Sequence, residues 1–268
     1  MFLRLFSIET TRLTRRTLPW LSLAAILFYI GLSMQNFYSM NQTELVSGGL
    51  KMPGISFDLA NALDQMQFIA LPFLVLLAAN VMGNDYTQRT NQHWLMRAPR
   101  HTGVLAKFAL LALFVFIIQL LVMLAGFGVG WYYKTFVYDA YSLANLNIGA
   151  MVAAPFYMTL SQLPYLAMIL LFTIATRSTL WGAVIGLGYT QFIEILITSI
   201  FHGKMFMMLH PHNLAASVTF LLNLIGNRVV EPPDYLAQPA PSMIGLLVYT
   251  ILFLAAALWL YRRQDVGG

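Results

Sequence analysis

The chain has 268 residues, 59% of them hydrophobic and 9% charged, with a mean hydropathy of +0.70 and a net charge of +5. A soluble domain of this composition would lack the polar surface to cover itself, so the sequence reads as an integral membrane protein. The absence of cysteine excludes disulfides, thiolate metal sites and cysteine nucleophiles.

The N-terminal stretch MFLRLFSIETTRLTRRT interleaves Phe2, Leu5, Phe6 and Leu13 with Arg4, Arg12, Arg15 and Arg16, a mixture suited to an amphipathic helix in the headgroup layer. Six apolar runs follow, near 18–38, 66–83, 104–130, 149–175, 179–201 and 242–261. Each suits a helix crossing about 30 Å of hydrocarbon, which takes about 20 residues. Pro19 fits the first turn of the first span. A basic region ahead of an apolar one also fits a signal peptide, but SMQNFYSM offers no small-x-small cleavage site, so an uncleaved anchor is expected. Between the fifth and sixth runs, NLAASVTFLLNLIG is short for a span and reads as a re-entrant or interfacial helix. The proline-rich EPPDYLAQPAPS after it reads as a stiff extended connector. The expectation is an all-α, six-span protein with one transmembrane domain over 1–268.

Charge placement sets the expected orientation. A cytoplasmic N-terminus puts Arg4, Arg12, Arg15, Arg16, Arg89, Arg97, Arg100, Lys107, Arg177, Arg262 and Arg263 inside and leaves Lys51, Lys134, Lys204 and Arg228 outside, eleven against four. Both termini are therefore expected in the cytoplasm, in a multi-pass protein of the cell membrane. Topology accounts for the basic excess, and nucleic acid is not needed as a partner.

The sequence has no G-x-x-x-x-G-K-[ST] for phosphate binding and no G-x-S-x-G, H-E-x-x-H or S-x-x-K pattern for hydrolysis. The chain is thus expected to have no catalytic site and no bound cofactor of its own. Glu194 is the ionisable residue deepest within a predicted span, and at α-helical spacing Thr190, Gln191 and Thr198 share its face. Gln119 and Gln162 lie at central depths and are its candidate partners. The stripe fits a structural hydrogen-bond knot or the wall of a substrate path. Gly126 and Gly130, like Gly182 and Gly186, are four apart and read as close-packing positions. Pro72, Pro155 and Pro164 fall within spans, where each removes a backbone donor. His202, His210 and His212 with Met205, Met207 and Met208 offer soft ligands, but without a repeated spacing no metal site is expected.

The stretch GNDYTQRTNQHWLMRAPR, residues 83–100, is a polar and basic island between two apolar runs. A short helix there would present Trp94, Leu95 and Met96 among Arg89, Arg97 and Arg100, which fits a docking surface for a cytosolic partner or a fold back into the headgroups. Its pattern D-Y-x-x-R-T-x-Q-x-W-L-x-R-x-P-R, followed by Lys107 at the start of the next span, resembles the first cytoplasmic loop of ABC-2 type transporter permeases. The basic amphipathic N-terminus, the six spans and the ending LWLYRRQD also resemble that family. His93-Trp94-Leu95 in place of a leucine-rich stretch, and Arg100-His101 in place of Ser-Arg after the proline, depart from its pattern.

The resemblance implies an ABC-2 (type V exporter-like) permease fold and an exporter subunit. It would pair with a second permease, identical or related, and with two ABC ATPase subunits that bind ATP and Mg. Asp85, Tyr86, Arg89, Thr90, Trp94, Leu95, Arg97, Pro99 and Arg100 would form the ATPase-coupling loop. Gln191, Glu194 and Thr198 would lie near the translocation path, with membrane lipid around the whole. A non-transporting scaffold or regulatory protein, or a membrane-embedded enzyme using Glu194 or the cluster of His202, His210 and His212, are the alternative readings.

Overall fold

The computed structural model describes residues 2–41, 54–87, 100–138, 148–200, 211–219 and 239–264, nearly all of them helical. Helix α1 covers Phe2–Thr14 and α2 Thr17–Met40; α3 runs Ile55–Thr87 and α4 Arg100–Tyr132, continued by a π-helical turn over Tyr133–Val137. Helix α5 spans Ile148–Thr176. After it, α6 (Thr179–Gly188), a π turn (Tyr189–Ile193) and α7 (Glu194–Ile200) form one unbroken helical run. Helix α8 covers Pro211–Thr219 and α9 Pro239–Arg263.

Among the described residues, five segments are long and apolar enough to cross a membrane: Thr17–Met40, Ile69–Tyr86, His101–Val137, Met151–Thr176 and Ala240–Arg263. The molecule is an all-α, multi-pass membrane protein. The run expected at 179–201 is helical from Thr179 to Ile200 but is divided by its π turn and is not one of these five. Two expected boundaries move: α3 starts at Ile55, well before the expected position 66, and the α4 run starts at Arg100 and reaches Val137. The added turns at the start of α3 are amphiphilic and escape an apolar window, yet Ser56, Asp58 and Asn61 are buried there.

Helix α3 lies at the centre, touching α2, α4, α5 and α6, while α9 covers α5 and α8 lies over both. Burial follows: 67% of the α5 span is buried inside the protein against 17% of the α9 span, so α9 is an outer helix whose exposed apolar face belongs to lipid. The main core joins Ile26, Ile30 and Met34 of α2 to Leu63, Met66 and Leu77 of α3, Leu111 and Ile118 of α4, and Ile169 of α5. Gly126 and Gly130 let α4 approach α3, because a Cβ at Gly130 would strike the Asp58 carboxylate. Gly182 and Gly186 serve the same purpose for α6 against Thr173 and Ile169 of α5 and Val75 of α3. Both glycine pairs therefore pack within the chain. Pro72, Pro155 and Pro164 lie inside continuous helices.

Helix α1 lies across α4, with Leu5, Glu9 and Leu13 buried and Phe2, Leu3 and Arg4 exposed. Exposed Trp20, Trp181 and Trp259 stand near the start of α2, the start of α6 and the end of α9. Exposed Trp131, Tyr132 and Phe136 stand at the opposite end of α4. Aromatic residues at both ends of apolar helices mark the two membrane–water interfaces. The end holding α1 is called basal here, and the opposite end distal.

Candidate functional site

Among the described residues, three polar groupings interrupt the apolar interior, and two of them fasten α3 to α4. At the basal end, Lys107 near the start of α4 pairs with Asp85 near the end of α3 and also donates to the Val81 carbonyl at 3.1 Å. Arg12 of α1 reaches Asp85 at 3.9 Å and Glu9 at 3.1 Å. Arg16 donates to the Asn80 side chain at 3.0 Å and to its carbonyl at 3.4 Å. Burial pushes the Arg16 guanidinium below its ordinary pKa, while the Glu9 and Asp85 carboxylates pull it back up. The Tyr86 hydroxyl donates to the Gln264 side chain at 2.9 Å, and the Gln264 amide donates to the Ile174 carbonyl at 2.6 Å, tying α3 to the ends of α9 and α5. One polar layer thus binds α1, α3, α4, α5 and α9 at the face where the 88–99 segment departs.

At the distal end, Lys134 pairs with Asp58. Both side chains are about 1% exposed. The Tyr38 hydroxyl of α2 donates to the other Asp58 oxygen at 2.6 Å, and the Tyr38 ring stacks on Tyr133 with centroids 4.8 Å apart. The Tyr138 hydroxyl closes the cluster by donating to the Tyr38 carbonyl at 2.9 Å. Lys134 lies in the π turn at the end of the α4 run, where the local register differs from that of an α-helix.

The two pairs are in matching register. The interval from Asp58 to Asp85 along α3 equals the interval from Lys107 to Lys134 along the α4 run. At about 1.5 Å per residue each interval is about 40 Å, close to a bilayer with its headgroup regions. Helices α3 and α4 are therefore antiparallel neighbours fastened once at each membrane interface.

The third grouping surrounds Glu194, the first residue of α7, which is buried and accepts a 2.7 Å hydrogen bond from the Tyr165 hydroxyl of α5. A carboxylate in apolar surroundings needs a donor or a proton, and the phenol supplies the donor. Gln119 and Gln162, the expected partners, are not bonded to it: both amides are buried without a hydrogen bond among the described residues. Thr190 turns its hydroxyl to the Gly186 carbonyl at 2.9 Å, and Gln191 is half-buried. Thr190 and Gln191 lie within the π turn over Tyr189–Ile193, immediately before Glu194, so uniform α-helical spacing does not hold across the stripe. Tyr165 belongs to a second apolar cluster with Met168, Leu214 and Leu246, against which Tyr189 and Tyr249 pack.

Of the loop residues singled out in the sequence, Asp85 and Tyr86 are built into the basal layer and Arg100 opens α4. Arg89, Thr90, Trp94, Leu95, Arg97 and Pro99 lie outside the described residues, as do His202, Met205, Met207, Met208 and His210. Thr198 lies within α7. Among the described residues no group of three or more His, Asp or Glu side chains could hold a metal ion. Sequence reasoning missed Tyr38, Asp58, Lys134 and Tyr165. The available signal was the equal spacing of two carboxylates, Asp58 and Asp85, and two lysines, Lys107 and Lys134. A comparison with curated proteins found no match. A family model described as "protein of unknown function (DUF2705)" matches residues 23–267, and the chain belongs to that family.

Proposed function

We propose that this chain is the permease subunit of an ATP-binding cassette exporter of the ABC-2 type. In this reading it has six spans, with Thr179–Ile200 as the fifth, α1 at the interface, and both termini in the cytoplasm of a cell-membrane protein. It works with a second permease and two separately encoded ATPase subunits, which bind ATP and Mg.

The observation that carries the reading is the basal pair. The loop pattern runs from an acidic residue, Asp85, to a lysine entering the next span, Lys107, and these two are buried ion-pair partners. A loop that transmits force needs roots that do not give way. Here its two flanking helices are joined to each other, to α1 through Arg12, and to α9 through Tyr86 and Gln264. In this reading Trp94 and Leu95 seat in a groove of the ATPase, and the neighbouring arginines hold the segment at the headgroups.

Trp94→Glu tests this directly. Loss of a buried Trp anchor at an interface centre costs about 2 kcal/mol or more. The variant should insert normally while losing co-purification of its ABC ATPase partner and losing substrate-coupled ATP hydrolysis. Unchanged co-purification and coupling in a normally inserted variant would remove the assignment. Orientation has its own test, since the chain has no native cysteine. A cysteine placed at position 268 should resist an impermeant reagent in intact cells, and labelling there would overturn the topology. For the path, Glu194→Gln should keep abundance and lower transport, whereas normal transport would make Glu194 a purely structural group.

A further inference from the structure

The turn joining α5 to α6 contains the only non-glycine residue with positive φ among the described residues, Arg177 at φ 52°. This left-handed conformation disfavours residues with a Cβ, and at a helix C-terminus it usually falls to glycine or asparagine. The chain has at this point a residue poorly suited to the backbone but well suited to an anion. The guanidinium is exposed and makes no hydrogen bond or ion pair among the described residues.

Its surroundings are cationic on one side and apolar on the other. The Arg177 backbone N–H donates to the Ile174 carbonyl at 3.3 Å, and the Gln264 amide donates to the same carbonyl at 2.6 Å. The end of α9, with Arg262 and Arg263 next to Gln264, is thereby held beside the turn. Arg263 lies over the Trp259 ring at 4.0 Å. Just beyond Arg177 in the chain, Leu180 is 68% and Trp181 58% exposed, which makes bare apolar surface at the start of α6.

We propose that this rim is a binding site for an anionic phospholipid, with Arg177, Arg262 and Arg263 on the phosphate and the acyl chains along Leu180, Trp181 and Trp259. Guanidinium forks match phosphate oxygens in pairs, and indole rings sit at headgroup depth. An acidic protein would satisfy the arginines alone, whereas Leu180, Trp181 and Trp259 stand at headgroup depth. A lipid offers the phosphate and the hydrocarbon in one molecule. The inference rests on the multi-pass architecture and stands apart from the transport reading.

The test reconstitutes the full chain in vesicles of equimolar phosphatidylcholine and phosphatidylglycerol, extracts it gently, and measures the two retained lipids by mass spectrometry. The wild type should retain phosphatidylglycerol above its share of the vesicle. Arg177→Gly should lose about fivefold of that preference, the factor expected for one basic side chain near an anionic surface. Its thermal stability should stay level or rise, because glycine accepts the left-handed turn. Arg177→Lys should keep part of the preference, and Arg263→Gln should lower it independently. Reduced stability with an unchanged lipid ratio in Arg177→Gly would make the arginine structural and overturn the proposal. So would an unchanged ratio at unchanged stability, which would leave the rim without a lipid role.

Discussion

At the distal end of the α3–α4 pair, Asp58 and Lys134 are each about 1% exposed and Asp58 accepts from the Tyr38 hydroxyl, whereas at the basal end Asp85 keeps 12% of its side chain exposed and has Arg12 at 3.9 Å. The chemistry is the same and the surroundings differ. A buried pair gains little over an apolar pair of similar shape, yet removing one member strands a charge where neither water nor a substitute can reach it. The distal pair therefore acts as a fixed staple between three helices. The basal pair has a second cation and some water, so Asp85 stays compensated when one partner is lost. One end of the helix pair is thus held by a single buried pair, and the other by a network of several partners.

Several substitutions sharpen or break this contrast, all read by denaturant unfolding in detergent. Lys134→Met should have the largest effect, a loss of about 3–5 kcal/mol, because Asp58 is left buried beside a single hydroxyl. Adding Asp58→Asn to it should return most of that loss; a double variant as unstable as the single would mean that packing rather than charge holds the staple. Tyr38→Phe should cost about 1.5–3 kcal/mol, the usual worth of a hydrogen bond to a charged group. Lys107→Met should cost about 1–2 kcal/mol, less than Lys134→Met, since Arg12 and water remain for Asp85. Equal losses for the two lysine variants would erase the distinction between the two ends. Smallest is Arg12→Gln, at about 0.2–1 kcal/mol for a partly exposed pair, and salt should shrink it further.

The apolar runs made the spanning helices legible in the sequence, because hydrocarbon thickness fixes their length. Asp85 and Lys107 were legible as the ends of a recognisable loop pattern, though not as partners of each other. Asp58 and Lys134 were not, and the reason is physical. They are far apart in the chain, each lies where its helix runs beyond the apolar window, and an isolated charge at such a place reads as a solvated loop residue. The π turns at Tyr133–Val137 and Tyr189–Ile193 have no clear composition of their own, so both the placement of Lys134 and the broken register before Glu194 emerged only from the fold. Tyr165 was overlooked for a related reason: a tyrosine in an apolar helix reads as packing until an acid is found 2.7 Å from its hydroxyl.

If this chain passes the work of an ATPase across the membrane, the two proteins must form a working complex. The most direct test is to co-express the chain with a candidate ABC ATPase from its own organism, purify the complex through a tag on this chain, reconstitute it in nanodiscs, and measure ATP hydrolysis. The expected result is a stable complex with equal numbers of the two kinds of subunit, and hydrolysis that falls when Trp94 is replaced by Glu. A P-loop protein that fails to co-purify with the wild-type chain and hydrolyses ATP at the same rate with or without it would contradict the permease role.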